Sequence, residues 1–325
     1  MSAPAASRHW ARIGESTCVA GIWFLYGVHA VLGRRVLRAL LWPVVLFYGA
    51  TQPRARRASR EYLGRMRATQ GVPAGEPGWG QWLRHLMSFA ETLLDKLLAT
   101  SGRYPWGRVR VEGQDQVDAL LDAGRGALVV TAHVGCLELC QALAAQRRYL
   151  KLTVLVHTRH AERFNAILRR LDPHTRVELL QVTDVGAATA VELRRRIDAG
   201  EFVAIAGDRV PVGGGRTASA PFLGAPAAFP IGAYVLASLF ACPLLFLGCV
   251  REGGSHVVHF ETLAGELHLP RAGRQEALER WAGVFAHRLE ALLARAPYDW
   301  FNFYDFWDAA PAQAGAAPAQ RQITA

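Results

Sequence analysis

From Val109 onward, short apolar runs rich in β-branched residues alternate with segments of helical period. The runs are Val109–Glu112, Leu128–Ala132, Thr153–Val156, Val177–Leu180, Phe202–Ala206, Leu244–Val250 and Val257–Glu261. Helical patterns fall at 115–123, 136–147, 161–171, 186–199, 229–240 and 275–295. Unbroken apolar runs suit strands covered on both faces, and parallel neighbours need crossovers of helix length. The pattern therefore predicts an α/β fold with a mostly parallel mixed sheet flanked by helices. No repeat and no clear domain boundary interrupts the chain after residue 70.

Ahead of this region, 58–69 and 79–99 have helical period, joined by a Gly/Pro loop from Gly71 to Gly78. Trp82, Leu86, Phe89, Leu93 and Leu97 form a stripe on the second helix, and His85 reads as structural. Further upstream, Thr17–Leu32 is apolar and has no small-residue cleavage site. Its sixteen residues give about 24 Å of helix against a hydrocarbon core of about 30 Å. Gly33, Arg34, Arg35 and Arg38 follow, then a second apolar run, Ala39–Ala50, broken by Pro43, then Arg54, Arg56, Arg57 and Arg60. This suits a hairpin lying in the cytoplasmic leaflet; two core helices or one tilted span are the alternatives. The expected organisation is a membrane-associated helical segment at 1–57, an α/β domain at 58–308 and a disordered Ala/Pro/Gln/Gly tail at 309–325.

Lys and Arg number 37 against 27 Asp and Glu, a net charge of +10, and 51% of residues are hydrophobic. Such an excess favours an anionic partner: membrane phospholipid, a phosphorylated cofactor or nucleic acid. Nucleic acid is disfavoured: there is no zinc-ligand spacing, aromatic RNA-binding pattern or Lys-rich arm. Cys18, Cys136, Cys140, Cys242 and Cys249 all lie in apolar surroundings and read as core thiols.

The most distinctive stretch runs from Ala127 to Leu139. A strand pattern stops at His133, Gly135 follows, and a helix pattern begins. Open α/β sheets bind ligands at the carboxyl ends of their strands. Glu138, one turn into the helix, is placed to reach back to His133, and a carboxylate-oriented imidazole can act as general base. Gly207-Asp208-Arg209 ends another strand and suits phosphate recognition, with a structural ion pair as the plain alternative. The glycine-rich loop from Val210 to Arg216 lacks a Gly-Lys-Ser/Thr ending, which argues against nucleotide hydrolysis. Phe222, Leu223 and Phe229 are candidates to line an apolar groove. His157, Arg159 and Asn165 follow a third strand end. No serine nucleophile elbow is present, so a covalent intermediate on serine is not expected.

His133-x4-Glu138 after an apolar strand resembles the His-x4-Asp/Glu motif of the lysophospholipid acyltransferase superfamily, and within it the lipid A late acyltransferase branch. Gly207-Asp208-Arg209, Phe222-Leu223-Gly224 with Phe229-Pro230-Ile231-Gly232, and the closing stretch Asp299–Trp307 resemble further blocks of that branch. The last block is also similar to predicted acyltransferases of aryl-polyene gene sets. The likeness spans roughly residues 8–308. It implies His133 as general base oriented by Glu138, and a fatty-acyl thioester on acyl carrier protein or coenzyme A as donor. It implies a lipid or glycolipid hydroxyl as acceptor, at the cytoplasmic face of a bacterial inner membrane, with no metal or bound cofactor. Arg159 and Asn165 match a region where the branch carries an arginine and an asparagine. The stretch Phe229–Gly232 lacks the superfamily's acidic Pro-Glu-Gly block, which argues against a glycerol-3-phosphate acceptor and leaves phosphate binding to Arg209, Arg216 or Arg159. Transfer of an aryl-polyene, hydroxy-acyl or aminoacyl group, and a non-catalytic lipid-binding scaffold, are the alternative readings.

Overall fold

The structure is a computed structural model that describes residues 19–146, 150–156, 162–171, 177–181, 186–210 and 215–309. Three helices lead, α1 (Val19–Thr51), α2 (Pro53–Gln70) and α3 (Trp79–Thr100). The alternation follows as β1 (Val109–Glu112), α4 (Gln114–Asp122), β2 (Ala127–Gly135), α5 (Leu137–Gln146), β3 (Leu152–Val156), α6 (Glu162–Leu171), β4 (Val177–Gln181), α7 (Ala187–Asp198) and β5 (Phe202–Ala206). The chain closes with β6 (Thr217–Phe222), β7 (Ala225–Pro230), α8 (Gly232–Phe240), β8 (Leu244–Glu252), β9 (Ser255–Ala264) and α9 (Arg274–Arg295).

Seven strands form one sheet in the order β1-β9-β8-β2-β5-β3-β4. Every neighbouring pair is parallel except the β8–β9 hairpin. β2 sits at the centre and is buried along its length apart from His133. Its side chains alternate between two cores. Leu128, Val130, Ala132 and Val134 join the core built with α2, α7, α8 and α9, while Ala127 and Val129 join the one built with α1, α3, α4, α5 and α6. His133, between Ala132 and Val134, thus leaves the sheet on the α3 and α5 face.

Two segments depart from the sequence reading. The stretch expected to begin a helix at 229 is instead a second, two-stranded sheet of β6 and β7, and α8 starts only at Gly232. Pro230 biases the preceding Phe229 toward extended backbone, so the helix cannot start before it. At the amino end, α1 is two helical segments that meet at a kink at Gly33 (φ 77°, ψ 179°), as the two apolar runs predict, but its second segment packs into the protein. Beyond the bend Leu37, Leu41 and Val45 are buried at a four-residue period in the core shared with α3. Arg34, read from sequence as part of a basic flank, is ion-paired to Asp95 at 2.8 Å and to Glu91 at 3.3 Å. Arg251 of β8 pairs with the same two carboxylates, so α1, α3 and β8 are tied at one buried charge cluster. No described helix is long and apolar enough to cross a membrane. Residues 310–325 lie outside the described residues.

Two buried histidines mark these joints. His85 Nε2 donates to the Trp300 carbonyl at 2.9 Å, and its Nδ1 accepts from Ser59 Oγ at 2.7 Å. Tyr104 donates to Nδ1 of His256 at 2.6 Å. Burial pushes both imidazoles from 6.5 down to about 4. Between those values the unfolded chain binds the protons that the native state refuses, so stability falls as pH falls. Each histidine should remove about 1.4 kcal/mol per pH unit across that window. Thermal unfolding measured from pH 7 to pH 4.5 should show the melting temperature dropping steeply below about 6.5, and less steeply in a His85→Gln variant.

Candidate active site

β2 and β5 pair in register up to Thr131 and Ala206, and Gly207 then donates to the Thr131 carbonyl at 2.7 Å. Past that point the strands part. A closing segment takes the vacated edge of β2: Val134 bridges Trp300, Phe301 N–H donates to the His133 carbonyl at 3.0 Å, and Gly135 N–H donates to the Asp299 carbonyl at 2.8 Å. Asp208 sits in the gap so formed, with only 2% of its surface exposed.

Asp208 holds His133 through both carboxylate oxygens. Oδ1 meets His133 Nδ1 at 2.8 Å, and Oδ2 accepts the His133 backbone N–H at 2.9 Å and the Trp300 indole N–H at 3.0 Å. Burial alone would raise the Asp208 pKa, but His133 and Arg209 bring it down to about 2. The ionised carboxylate can only accept, so the imidazole carries its proton on Nδ1 and leaves Nε2 with a bare lone pair. Burial, helped by Arg209 and Lys96 and opposed by Asp208, holds the imidazole below its ordinary 6.5. A neutral ring oriented in this way, with 38% of its side chain exposed, is equipped to remove a proton from a hydroxyl.

The carboxylate expected to hold His133 was Glu138, and the structure uses it otherwise. Its Oε1 accepts from Lys96 Nζ at 2.9 Å, and its Oε2 faces the Cys136 thiol at 4.0 Å. The reason is local. Gly135 turns the chain at φ 53°, so the first turn of α5 presents Glu138 to α3, while β5 delivers Asp208 alongside β2. Arg209, expected to contact phosphate, donates from Nη2 to the Phe301 carbonyl at 3.1 Å, with its guanidinium 6.0 Å from the Tyr304 ring centre. Among the described residues no hydrogen bond or ion pair joins Arg216 to the His133–Asp208 pair; it is exposed at the start of the hairpin. Arg159, and His157 beside it, lie outside the described residues, as does the Asn165 side chain.

Phe222, Leu223 and Phe229 do not line a groove. All three are fully buried, with Phe222 packed against Trp300, Phe306 and Trp307 and Phe229 against Phe285. Phe222 packs directly on Trp300, and Leu223 and Phe229 belong to the same buried core. Trp300 and Lys96 are the residues the sequence reading left without a part in the chemistry. Trp300 stood in a recognisable aromatic block, but nothing in its spacing tied it to Asp208, which lies 92 residues earlier.

The chain is thus an α/β protein with a mostly parallel sheet and a carboxylate-held imidazole at the carboxyl end of its central strand. Residues 99–308 match the bacterial lipid A biosynthesis acyltransferase family, and the chain belongs to that family. The matched span runs from the end of α3 through the closing aromatic segment and includes His133, Glu138, Asp208 and Trp300. A comparison with curated proteins finds no match.

Proposed function

We propose that this protein transfers a fatty or related acyl group from an acyl carrier protein or coenzyme A thioester to a hydroxyl of a lipid or glycolipid, with His133 as general base and Asp208 as its orienting partner. His133 Nε2 takes the acceptor proton, the alkoxide attacks the thioester carbonyl carbon, and the intermediate collapses by expelling the thiolate, which recovers the proton from the imidazolium. The single observation carrying this reading is the Asp208 contact on Nδ1, which leaves Nε2 of a part-exposed imidazole with a bare lone pair.

The reaction is proposed to take place at the cytoplasmic face of a bacterial inner membrane. Supporting this, the outward face of α1 exposes Phe24, Val31, Leu32, Trp42, Leu46 and Phe47, and exposed Arg54, Arg57 and Arg60 follow on α2. An apolar helical face beside arginines suits insertion into an anionic leaflet. The same basic surface would attract an acidic carrier protein.

Purified protein incubated with assorted acyl thioesters and a membrane lipid extract should convert one lipid class to a species heavier by one acyl group, as read by mass spectrometry. His133→Ala should abolish the conversion while the protein still floats with anionic vesicles. A wild-type protein that acylates no lipid from any thioester, or a fully active His133→Ala variant, would overturn the proposal.

A further inference from the structure

We propose that Lys96 is a catalytic residue of this site: its ammonium, positioned by Glu138, receives the negative charge that forms on the thioester carbonyl oxygen. The inference rests on the acyl-transfer reading above and assigns the oxyanion contact which that reading requires.

Several observations meet at Lys96. It belongs to α3, on the face of the sheet to which His133 points, because Ala132 and Val134 on either side of His133 both face the opposite core. Its Nζ is held by Glu138 Oε1 at 2.9 Å, and Glu138 stands in the first turn of the helix that follows His133. The pair is neither loose nor sealed, with 23% of the lysine and 14% of the glutamate side chain exposed. One of three ammonium protons is used by Glu138; among the described residues the other two meet no acceptor. Lys96 also acts electrostatically on His133, helping to keep that imidazole neutral.

The charge flow balances. As the acceptor oxygen bonds to the carbonyl carbon and its proton moves to His133 Nε2, the carbonyl π pair becomes a lone pair on oxygen. A free N–H of Lys96 meets that oxygen. When the carbon–oxygen double bond re-forms, the thiolate leaves and takes the proton back from His133. The lysine neither gains nor loses a proton, so Glu138 can remain ionised beside it throughout. A fixed cation of this kind lowers the barrier because its charge is already in place when the oxyanion appears. The His-x4-Glu spacing then serves two functions on one turn, with the histidine as base and the glutamate as holder of the counter-charge.

The test uses the full-length protein, with Lys96→Met alone and combined with Glu138→Met. The double variant removes both charges, so it leaves no unpaired buried carboxylate and separates chemistry from folding. The expected result is a fall in kcat of about 10²- to 10³-fold in both variants, with KM for the acyl thioester changed less than threefold. Activity restored in the double variant would show that Lys96 matters only as a folding partner, and a raised KM at unchanged kcat would make it a ground-state anchor; either outcome overturns the proposal. His133→Ala, measured in parallel, keeps the two inferences apart. If it is inactive while Lys96→Met is fully active, only the oxyanion assignment fails. If it is fully active, the acyl-transfer mechanism itself fails.

Discussion

Asp208→Asn should lower kcat by about 10³-fold or more while the protein folds and binds its thioester as before. The two side chains have nearly the same shape, so the outcome turns on hydrogen-bond polarity. Two N–H donors, the His133 backbone and the Trp300 indole, converge on Oδ2, and Nδ1 of His133 meets Oδ1. An asparagine placed to satisfy the two donors at Oδ2 must set its carbonyl there and its NH₂ against Nδ1. The imidazole then has to accept at Nδ1 and carry its proton on Nε2, the atom that faces the substrate. The base is present but its lone pair points the wrong way. Nitrogen-15 NMR of the histidine ring should report the tautomer directly, on Nδ1 in the wild type and Nε2 in the variant. Glu138→Gln should leave the tautomer unchanged, since that carboxylate is spent on Lys96 and Cys136. An Asp208→Asn protein retaining more than a tenth of wild-type kcat would remove Asp208 from the mechanism.

Much of this arrangement is written in local sequence, and its key contact is not. The sheet was legible because its inner strands β2, β5 and β8 are covered on both faces, so apolar runs such as Phe202–Ala206 announce themselves without help from neighbours. His133 stood out as a polar residue ending such a run. Its partner is another matter. Choosing between Glu138 and Asp208 depends on how far β5 follows β2 before diverging, and that divergence is set by the closing segment claiming the edge at Val134. No spacing between residues 133 and 208 encodes it. The hairpin of β6 and β7 was hidden for a related reason. Ala218, Ala220, Ala227 and Ala228 face the core, and small residues carry little strand signature although they suit close packing beneath α9. The amino-terminal arginines show the limit of reading charge in isolation, for Arg34 is spent on Asp95 while neighbouring Arg35 is exposed.

Among the described glycines, Gly135 is the one where an added methyl should do most damage. A Cβ there would lie 1.8 Å from the Cys249 carbonyl oxygen and 2.9 Å from its carbon, both backbone atoms of the paired strand β8. No rotamer relieves such a clash, so β2 and β8 would have to separate at their carboxyl ends. The φ of 53° adds strain of about 1 kcal/mol or more for any residue with a Cβ. Together these should cost several kcal/mol, a large share of the roughly 5–15 kcal/mol by which a domain is stable. The loss should also reach the chemistry by a traceable route. Gly135 N–H fixes the Asp299 carbonyl, Asp299 anchors the closing segment through Ser88 and the Arg251 backbone, and the next residue, Trp300, donates to Asp208. Chemical denaturation should therefore show a markedly lower midpoint, and activity per folded molecule should fall as well. Gly283→Ala is the matched control, since Gly283 lies inside α9 with no atom within 4 Å of the added methyl. That variant should be about 0.5–1 kcal/mol more stable than wild type. Equal stability of Gly135→Ala and wild type would mean that β2 and β8 do not approach each other as described, and the placement of His133 would fall with them.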